Sequence, residues 1–432
     1  MESIWAKNIN RKQFKSLDKD IKTDVLIVGG GITGILCAYM LKKAGVECVL
    51  VETDRILNGV TENTTAKITV QHGLIYNDII RKYGVDSAIM YLKAQQDAIK
   101  SFSVLSRGIN CDYKVQDAYM YTTGDISKLE GEAAAYKHIG LNFEFCKSIE
   151  IPIEAKGALK IKNQAQFNPL KFCLSLIDEL TIYEGTKVIE LFCGGAITNK
   201  GKIFAEKIII ATHFPFINKF GGYFLKMYQH RSYVLALQNA KTPNGMYVDE
   251  DIKGLSFREY NGMLLLGGGS HRTGKKGGNW NELRSFASKN YSDSKEVAYW
   301  ATQDCMTLDG IPYIGEYSKK LANVYVATGF NKWGMTNSMA AAKILVDMIN
   351  DKKNDYTEVF SPQRSILHPQ FVVNMAETLI NFITPTVPRC PHLGCALKYN
   401  VAEHSWDCPC HGSRFTKEGK LIENPATDDK NM

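Results

Sequence analysis

The longest uncharged stretch of the chain, Val25 to Leu41, does not read as one element. It opens with Val25-Leu26-Ile27-Val28, the short β-branched apolar run that a buried parallel strand requires. Glycines then interrupt it, and Ile35, Leu36, Met40 and Leu41 recur at helical spacing up to Lys42-Lys43. Gly45 stands where a helix C-cap belongs. A second strand, Glu47 to Val51, ends at Glu52. At 17 residues the stretch is slightly short for a bilayer span, and its glycines favour strand, turn and helix.

Further along, the pattern predicts a helix over roughly Asp86 to Ser106. Alternation around Tyr119-Met120-Tyr121, in Ser232–Leu237 and in Met263–Gly268 predicts sheet strands. A linker at 361–365 leads to a helical stretch over about Pro369 to Phe382. With 432 residues the chain is long enough for two to three domains. Its 45% hydrophobic and 22% charged residues exclude wholesale disorder and coiled coil. The net charge of +7 is spread out, with no basic run beyond pairs such as Lys275-Lys276 and Lys352-Lys353, so no nucleic-acid partner is expected. Residues 1–20 are polar and lack the apolar stretch of a signal peptide. A cytoplasmic protein without a membrane span is the expectation.

Cysteine changes the picture. Four of the 11 (Cys390, Cys395, Cys408, Cys410) fall in the last 43 residues, and the other seven are scattered singly. The body has no disulfide framework, as a reducing cytoplasm favours. The terminal group needs its own explanation.

Gly29, Gly31 and Gly34 form G-x-G-x-x-G between the first strand and the first helix. The first glycine permits a tight turn, the second lets backbone approach a pyrophosphate, and the third lets helix pack on strand. The helix N-terminus offers free N–H groups to phosphate, and Glu52 can accept from a ribose hydroxyl. This context makes the motif a dinucleotide site. No second such motif exists, because Arg272 occupies the position that Gly267-Gly268-Gly269 would need. One tightly held flavin is simpler than FAD plus NAD.

Several segments resemble the FAD-dependent oxidoreductases of the D-amino-acid oxidase, glycine oxidase and sarcosine oxidase group. They are 53–73, 184–191, 207–216, 307–315 and 324–349. In the third of these, His213 replaces the family's glycine. The resemblance implies an α/β fold: a doubly wound, Rossmann-like FAD-binding domain of glutathione-reductase type with an inserted antiparallel α+β substrate domain. It assigns flavin contacts to Gly29, Gly31, Gly34 and Glu52. Thr61, Thr64, Thr65, Ala66 and Lys67 fall in the loop that wraps the pyrophosphate side. Val188, Ala211 and Thr212 come from middle strands, and Gly329, Lys332, Gly334, Met335 and Thr336 from the closing loop and helix. A helix N-terminus there would stabilise reduced flavin. Cys305 lies out of step with the position that tethers flavin in some relatives and reads as a small buried thiol.

On the substrate side, Arg231, Arg258 and His271 end predicted strands and are candidates to face the flavin, with Lys332 as a fourth. Arginine suits a substrate carboxylate and histidine a proton. None sits in a transferable motif.

Residues 390–413 read Cys-x-His, 15 intervening residues, then Cys-x-x-His. The pattern resembles the Rieske [2Fe–2S] motif. It implies that Cys390 and Cys408 hold one iron, and His392 and His411 the other. By the same resemblance Cys395 and Cys410 match a disulfide pair, and Ser413 a donor to a bridging sulfide. Phe415 stands where bc-type proteins carry a tyrosine. Structural zinc is the competing reading, although zinc sites favour paired C-x2–4-C and H-x3–5-H spacing.

The expected organisation is an arm over 1–20, an FAD domain from 21–85, 156–221 and 301–355, and a substrate domain from 86–155 and 222–300. A linker and helix follow at 356–388, and a small all-β Rieske subdomain at 389–432. The expected function is a dehydrogenase. A small amine or amino-acid-like substrate reduces FAD, and electrons pass singly through the cluster to an unknown acceptor. Three alternatives stay open: an O2-using amine oxidase with a structural cluster, a reductase running the path in reverse, and a non-enzymatic redox sensor or carrier. Too little chain precedes Cys390 for the base strands of a full Rieske domain, which predicts fixed docking on the body.

Overall fold

The computed structural model describes residues 2–7, 9–385 and 388–430. Residues 1 and 8 of the expected arm, 386 and 387 of the linker and 431 and 432 of the cluster subdomain lie outside the described residues.

The strand Ile21–Val28 is central to the first sheet, flanked in parallel by Cys48–Val51 and Gly201–Ile210. Thr181–Tyr183 and Leu321–Thr328 extend the sheet on either side, also in parallel. Burial on both faces explains why Val25–Val28 and Cys48–Val51 are unbroken apolar runs rather than alternating ones. The helix Ile32–Lys43 starts on Gly31 and ends with Lys42 and Lys43 in its last turn, where cations suit the carbonyl end. Gly45 follows at φ +78°, a left-handed position that glycine takes without strain.

A second, nine-stranded sheet is mostly antiparallel. Its long strands Met227–Gln238, Met263–Arg272 and Lys295–Thr307 lie side by side, and Lys114–Thr122 pairs with Gly157–Gln166. Sheet membership departs from the expected boundaries. Strand 157–166, the 301–307 part of strand 295–307 and the short piece 67–68, all expected in the FAD domain, belong to this sheet rather than to the flavin sheet. Hydrogen-bond partners far away in sequence decide this, and local pattern carries no trace of them. The helix Val85–Leu105 packs on the helix Gly334–Ile349, with Gln95 Nε2 donating to Asn337 Oδ1 at 2.8 Å.

The arm is tied down. Trp5 is buried and donates to the Thr64 carbonyl at 2.7 Å, and the Leu17 amide donates to Thr186 Oγ1 at 3.1 Å. At the other end, four three-residue strands between Lys398 and Glu423 form a separate antiparallel sheet. Among the described residues no helix is long and apolar enough to cross a membrane.

Candidate functional site

A cavity of about 1560 Å³ runs between the two large sheets. That exceeds the usual ~300–1,000 Å³ of a small-molecule site and suits a dinucleotide plus a substrate. At one end the glycine turn meets the wall. A Cβ on Gly29, at φ +113°, would sit 2.5 Å from the Ala211 carbonyl oxygen; one on Gly34 would sit 1.9 Å from the Gly29 oxygen. Gly31 caps the helix and faces the cavity, with the Ile32 amide donating to Thr61 Oγ1 at 3.0 Å. Glu52 accepts from the Gly30 amide at 2.7 Å and the Asp54 amide at 3.0 Å; burial raises its carboxyl despite them.

Of the residues assigned to flavin, Gly29, Gly31, Glu52, Thr61, Thr64, Thr65, Lys67, Val188, Ala211, Thr212, Gly329, Lys332, Gly334 and Met335 line the cavity. Gly34, Ala66 and Thr336 do not. Gly34 lies beneath the turn. Ala66 is buried at φ +52°, and Thr336 Oγ1 is 2.9 Å from His72 Nε2. The N-terminus of the helix Gly334–Ile349 opens on the cavity. The donor set fits a flavin dinucleotide: close-packed glycines and a helix end at the phosphate turn, and a carboxylate at the second strand.

Three of the four substrate-side candidates lie off the cavity wall. Arg231 is buried and turned away from the cavity. Its Nε donates to Glu403 at 3.0 Å and its Nη1 to Glu423 at 3.0 Å, both in the C-terminal domain. Arg258 is fully buried, donates to the Ala66 carbonyl at 2.9 Å and to the Thr65 carbonyl, and lies over the Trp5 ring at 5.4 Å. Neither side chain is among the residues lining the cavity, and Arg258 Nη2 is buried without a hydrogen-bond partner. His271 also misses the cavity. Its ring stacks on Tyr233, and Nδ1 lies 3.1 Å from the Gly269 carbonyl.

Lys332 does reach the cavity. Nζ donates to Ser270 Oγ at 2.6 Å, and burial pushes its ammonium down to about 8, opposed by Asp304. Asp304, which sequence reading passed over, lines the same wall and is pushed up to about 6 by burial, opposed by Lys332. His72 stacks on Trp333 at 5.1 Å and is held neutral by burial. No spacing signal marks Asp304 or His72, because their partners are far away in sequence. Cys305 is buried off the cavity, and burial raises its thiol.

The structure gathers the C-terminal ligand set. Cys390, Cys408 and His411 are buried, and the His392 and His411 rings lie 5.0 Å apart, edge to face. A hydrogen bond from Cys408 lowers the Cys390 thiol, as do the amides of His392 and Leu393. His392 Nδ1 and both His411 nitrogens are buried without a hydrogen-bond partner. Such orphaned nitrogens are costly unless something takes their lone pairs. A pair of touching thiols and a pair of facing imidazoles suit a cluster in which one iron takes both thiolates and the other both imidazoles. Cys395 and Cys410 form a disulfide, which removes them as zinc ligands. Ser413 hydrogen-bonds towards Cys390 and accepts from the Ala426 amide at 2.9 Å.

The flavoprotein body closes over this centre. Asn218 Oδ1 lies 2.9 Å from His392 Nε2, and the Phe224 ring faces His411 edge-on. Gln229 Nε2 donates to the His411 carbonyl at 2.8 Å, and Gln303 Nε2 to the Gly412 carbonyl at 2.8 Å. On the strand Met227–Gln238, Tyr228 and Ser232 face the cavity while Gln229 and Arg231 face the cluster domain. Tyr233 does both, lining the cavity and donating to Glu403 at 3.2 Å, and Glu423 and Asn424 of the cluster domain line the cavity as well.

Residues 24–348 match the family model described as FAD dependent oxidoreductase (DAO), and residues 368–431 that of the Rieske [2Fe-2S] domain. The second match takes in the helix expected as part of a linker. A Bacillus subtilis (strain 168) chain named as the Rieske 2Fe-2S iron-sulfur protein YhfW is 36% identical, over 98% of this chain and 96% of that one. The cytochrome b6-f complex iron-sulfur subunit of Microcystis aeruginosa is 44% identical over 55 residues, 13% of this chain and 30% of its own length. Glycine oxidase from Geobacillus kaustophilus shares the fold at TM-score 0.68 and 18% identity, over 80% of this chain and 99% of that one. The chain belongs to the DAO family of FAD-dependent oxidoreductases, with a Rieske [2Fe–2S] domain at its C-terminal end.

Proposed function

We propose that this enzyme is a dehydrogenase for a small amine or amino-acid-like substrate, and that electrons leave its flavin singly through the cluster to a separate acceptor. FAD accepts a pair of electrons as hydride and a Rieske cluster carries one at a time, so together they convert one mode into the other.

The observation that carries this reading is the strand Met227–Gln238. It is both cavity wall and cluster dock. Gln303 on the neighbouring strand lines the cavity, and its amide nitrogen meets both Gln229 Oε1 and the Gly412 carbonyl at 2.8 Å. A cluster serving only as a fold staple would need no such adjacency. On the substrate side, neither strand arginine lines the cavity, and Asp304 near Lys332 offers an anionic partner inside it. That balance favours an amine over a substrate held by its carboxylate. Lys332 and Ser270 would orient the substrate nitrogen, and the ammonium's lowered value lets Lys332 take up or release a proton near neutral pH.

The test is anaerobic titration with a panel of primary and secondary amines and amino acids, following flavin absorbance. Amines bleaching the flavin, with loss of the effect in Asp304→Asn, supports the assignment. Bleaching only by carboxylate-bearing substrates, unaffected by Asp304→Asn, contradicts it.

A further inference from the structure

The helix Pro369–Ile383 is built inside out. Asn374 and Asn381 are each 4% exposed, whereas Val372, Leu379 and Ile383 are 67%, 62% and 68% exposed. Its polar side is fastened to the protein. Arg272 donates to Asn374 Oδ1 at 2.9 Å, Lys275 pairs with Glu377 at 2.6 Å, and the Ala396 amide donates to the Asn381 carbonyl at 2.9 Å. These contacts fix the rotation of the helix, so its apolar side cannot turn inward. We propose that this face docks the protein on an anionic phospholipid bilayer.

Three observations select that occupant. First, the exposed face, which also includes Val373, Ile380 and Phe382, carries no hydrogen-bonding side chain. Protein interfaces carry about one hydrogen bond per 100–200 Å² and polar rims, whereas the acyl region of a bilayer needs none. Second, charge is complementary to anionic headgroups. The sole acid between residues 366 and 385 is Glu377, already neutralised by Lys275; off the helix, Asp78 and Asp309 act on His368 together with the cation Lys82. Cations stand around the helix. Lys276 is exposed beside Lys275, and Arg389 donates to the Phe382 and Thr384 carbonyls at the C-terminal end. Lys219 is exposed next to Asn218, which meets His392. Third, the face is continuous with both redox openings. Leu367 to Gln370 line the flavin cavity, while a Cβ on Gly394 of the cluster loop would lie 3.6 Å from the Phe382 ring. A helix of this kind lies in the plane of the membrane with its apolar side sunk ~5–10 Å. The docking does not depend on the proposed direction of electron flow.

The experiment is flotation of the full-length holoprotein with vesicles of phosphatidylcholine and phosphatidylglycerol. The wild type is expected to float with the vesicles. The double variant Leu379→Glu/Ile383→Glu is expected to partition at least about ten-fold less, because two apolar side chains no longer enter the bilayer. Both side chains are mostly exposed, so the flavin and cluster spectra of the variant should match the wild type. Failure of the wild type to float, or equal flotation of the double variant, would overturn the proposal. So would a wild-type dimer that the same substitutions convert to a monomer, since that face would then belong to a second copy.

Discussion

The flavin body and the cluster domain solve the problem of staying folded in different ways. The body buries long apolar strands and a 21-residue helix around extended cores. The cluster domain has strands of three residues and a core of seven, four of them cysteines. Domains of this size rarely bury enough apolar surface to stand alone without disulfides or metals. Charge fills part of the gap. Arg414 pairs with Glu403 at 2.8 Å and Asp407 at 2.9 Å, and Glu403 is completed from outside by Arg231 of the body. The body is built around its own apolar burial, while the appendage takes a counter-charge from it.

The contrast breaks most visibly at Arg231. Arg231→Met leaves Glu403 with Arg414 alone, a loss of about 3 kcal/mol, the low end for a broken buried pair because Arg414 still holds the carboxylate. Thermal unfolding followed by iron content should show early cluster loss while flavin stays bound. Wild-type cluster retention would mean the dock is not electrostatic. Next comes the clasp. Cys395→Ala/Cys410→Ala opens a 15-residue loop and should cost the cluster domain about 3 kcal/mol. Urea titration read by the cluster signal measures it, and the flavin transition should not move.

Glu52→Ala strikes the other side of the comparison. It removes the carboxylate placed for a ribose and should weaken FAD binding roughly 10–100-fold, with the cluster signal retained. Flavin release on dilution reads this out. A smaller effect is the acid response of the dock. Burial alone would raise Glu403, but Arg231 and Arg414 hold it below the usual carboxylate value. A folded-state value below the unfolded ~4.3 means this stabilisation is present above that pH and is lost as pH falls through the lowered value. Limited proteolysis between the two regions should therefore be flat from neutrality to about pH 5 and rise only in more acid solution.

The same contrast explains what was legible in the sequence. The glycine turn and the Cys-His spacing could be read because each is a local constraint: backbone must pass close to phosphate, or ligands must converge from two short loops. The inserted sheet was only partly legible, since 157–166 and 295–307 take their place from distant partners. Arg231 and Arg258 were candidates because an arginine suits a substrate carboxylate. What claims Arg231 instead is Glu403, 172 residues away. The outward apolar face of Pro369–Ile383 was hidden for another reason. Periodicity reports that a helix has two faces and not which one the protein keeps.

The central claim is that a fixed dock makes flavin and cluster one electron path within a single chain. Its most direct test is rapid-freeze EPR of the cluster after anaerobic mixing with an amine that bleaches the flavin, repeated over a wide range of protein concentration. The account predicts that the cluster signal appears after flavin reduction at a rate independent of concentration. A rate that falls in proportion to dilution, or a cluster that stays oxidised while the flavin bleaches, would contradict it.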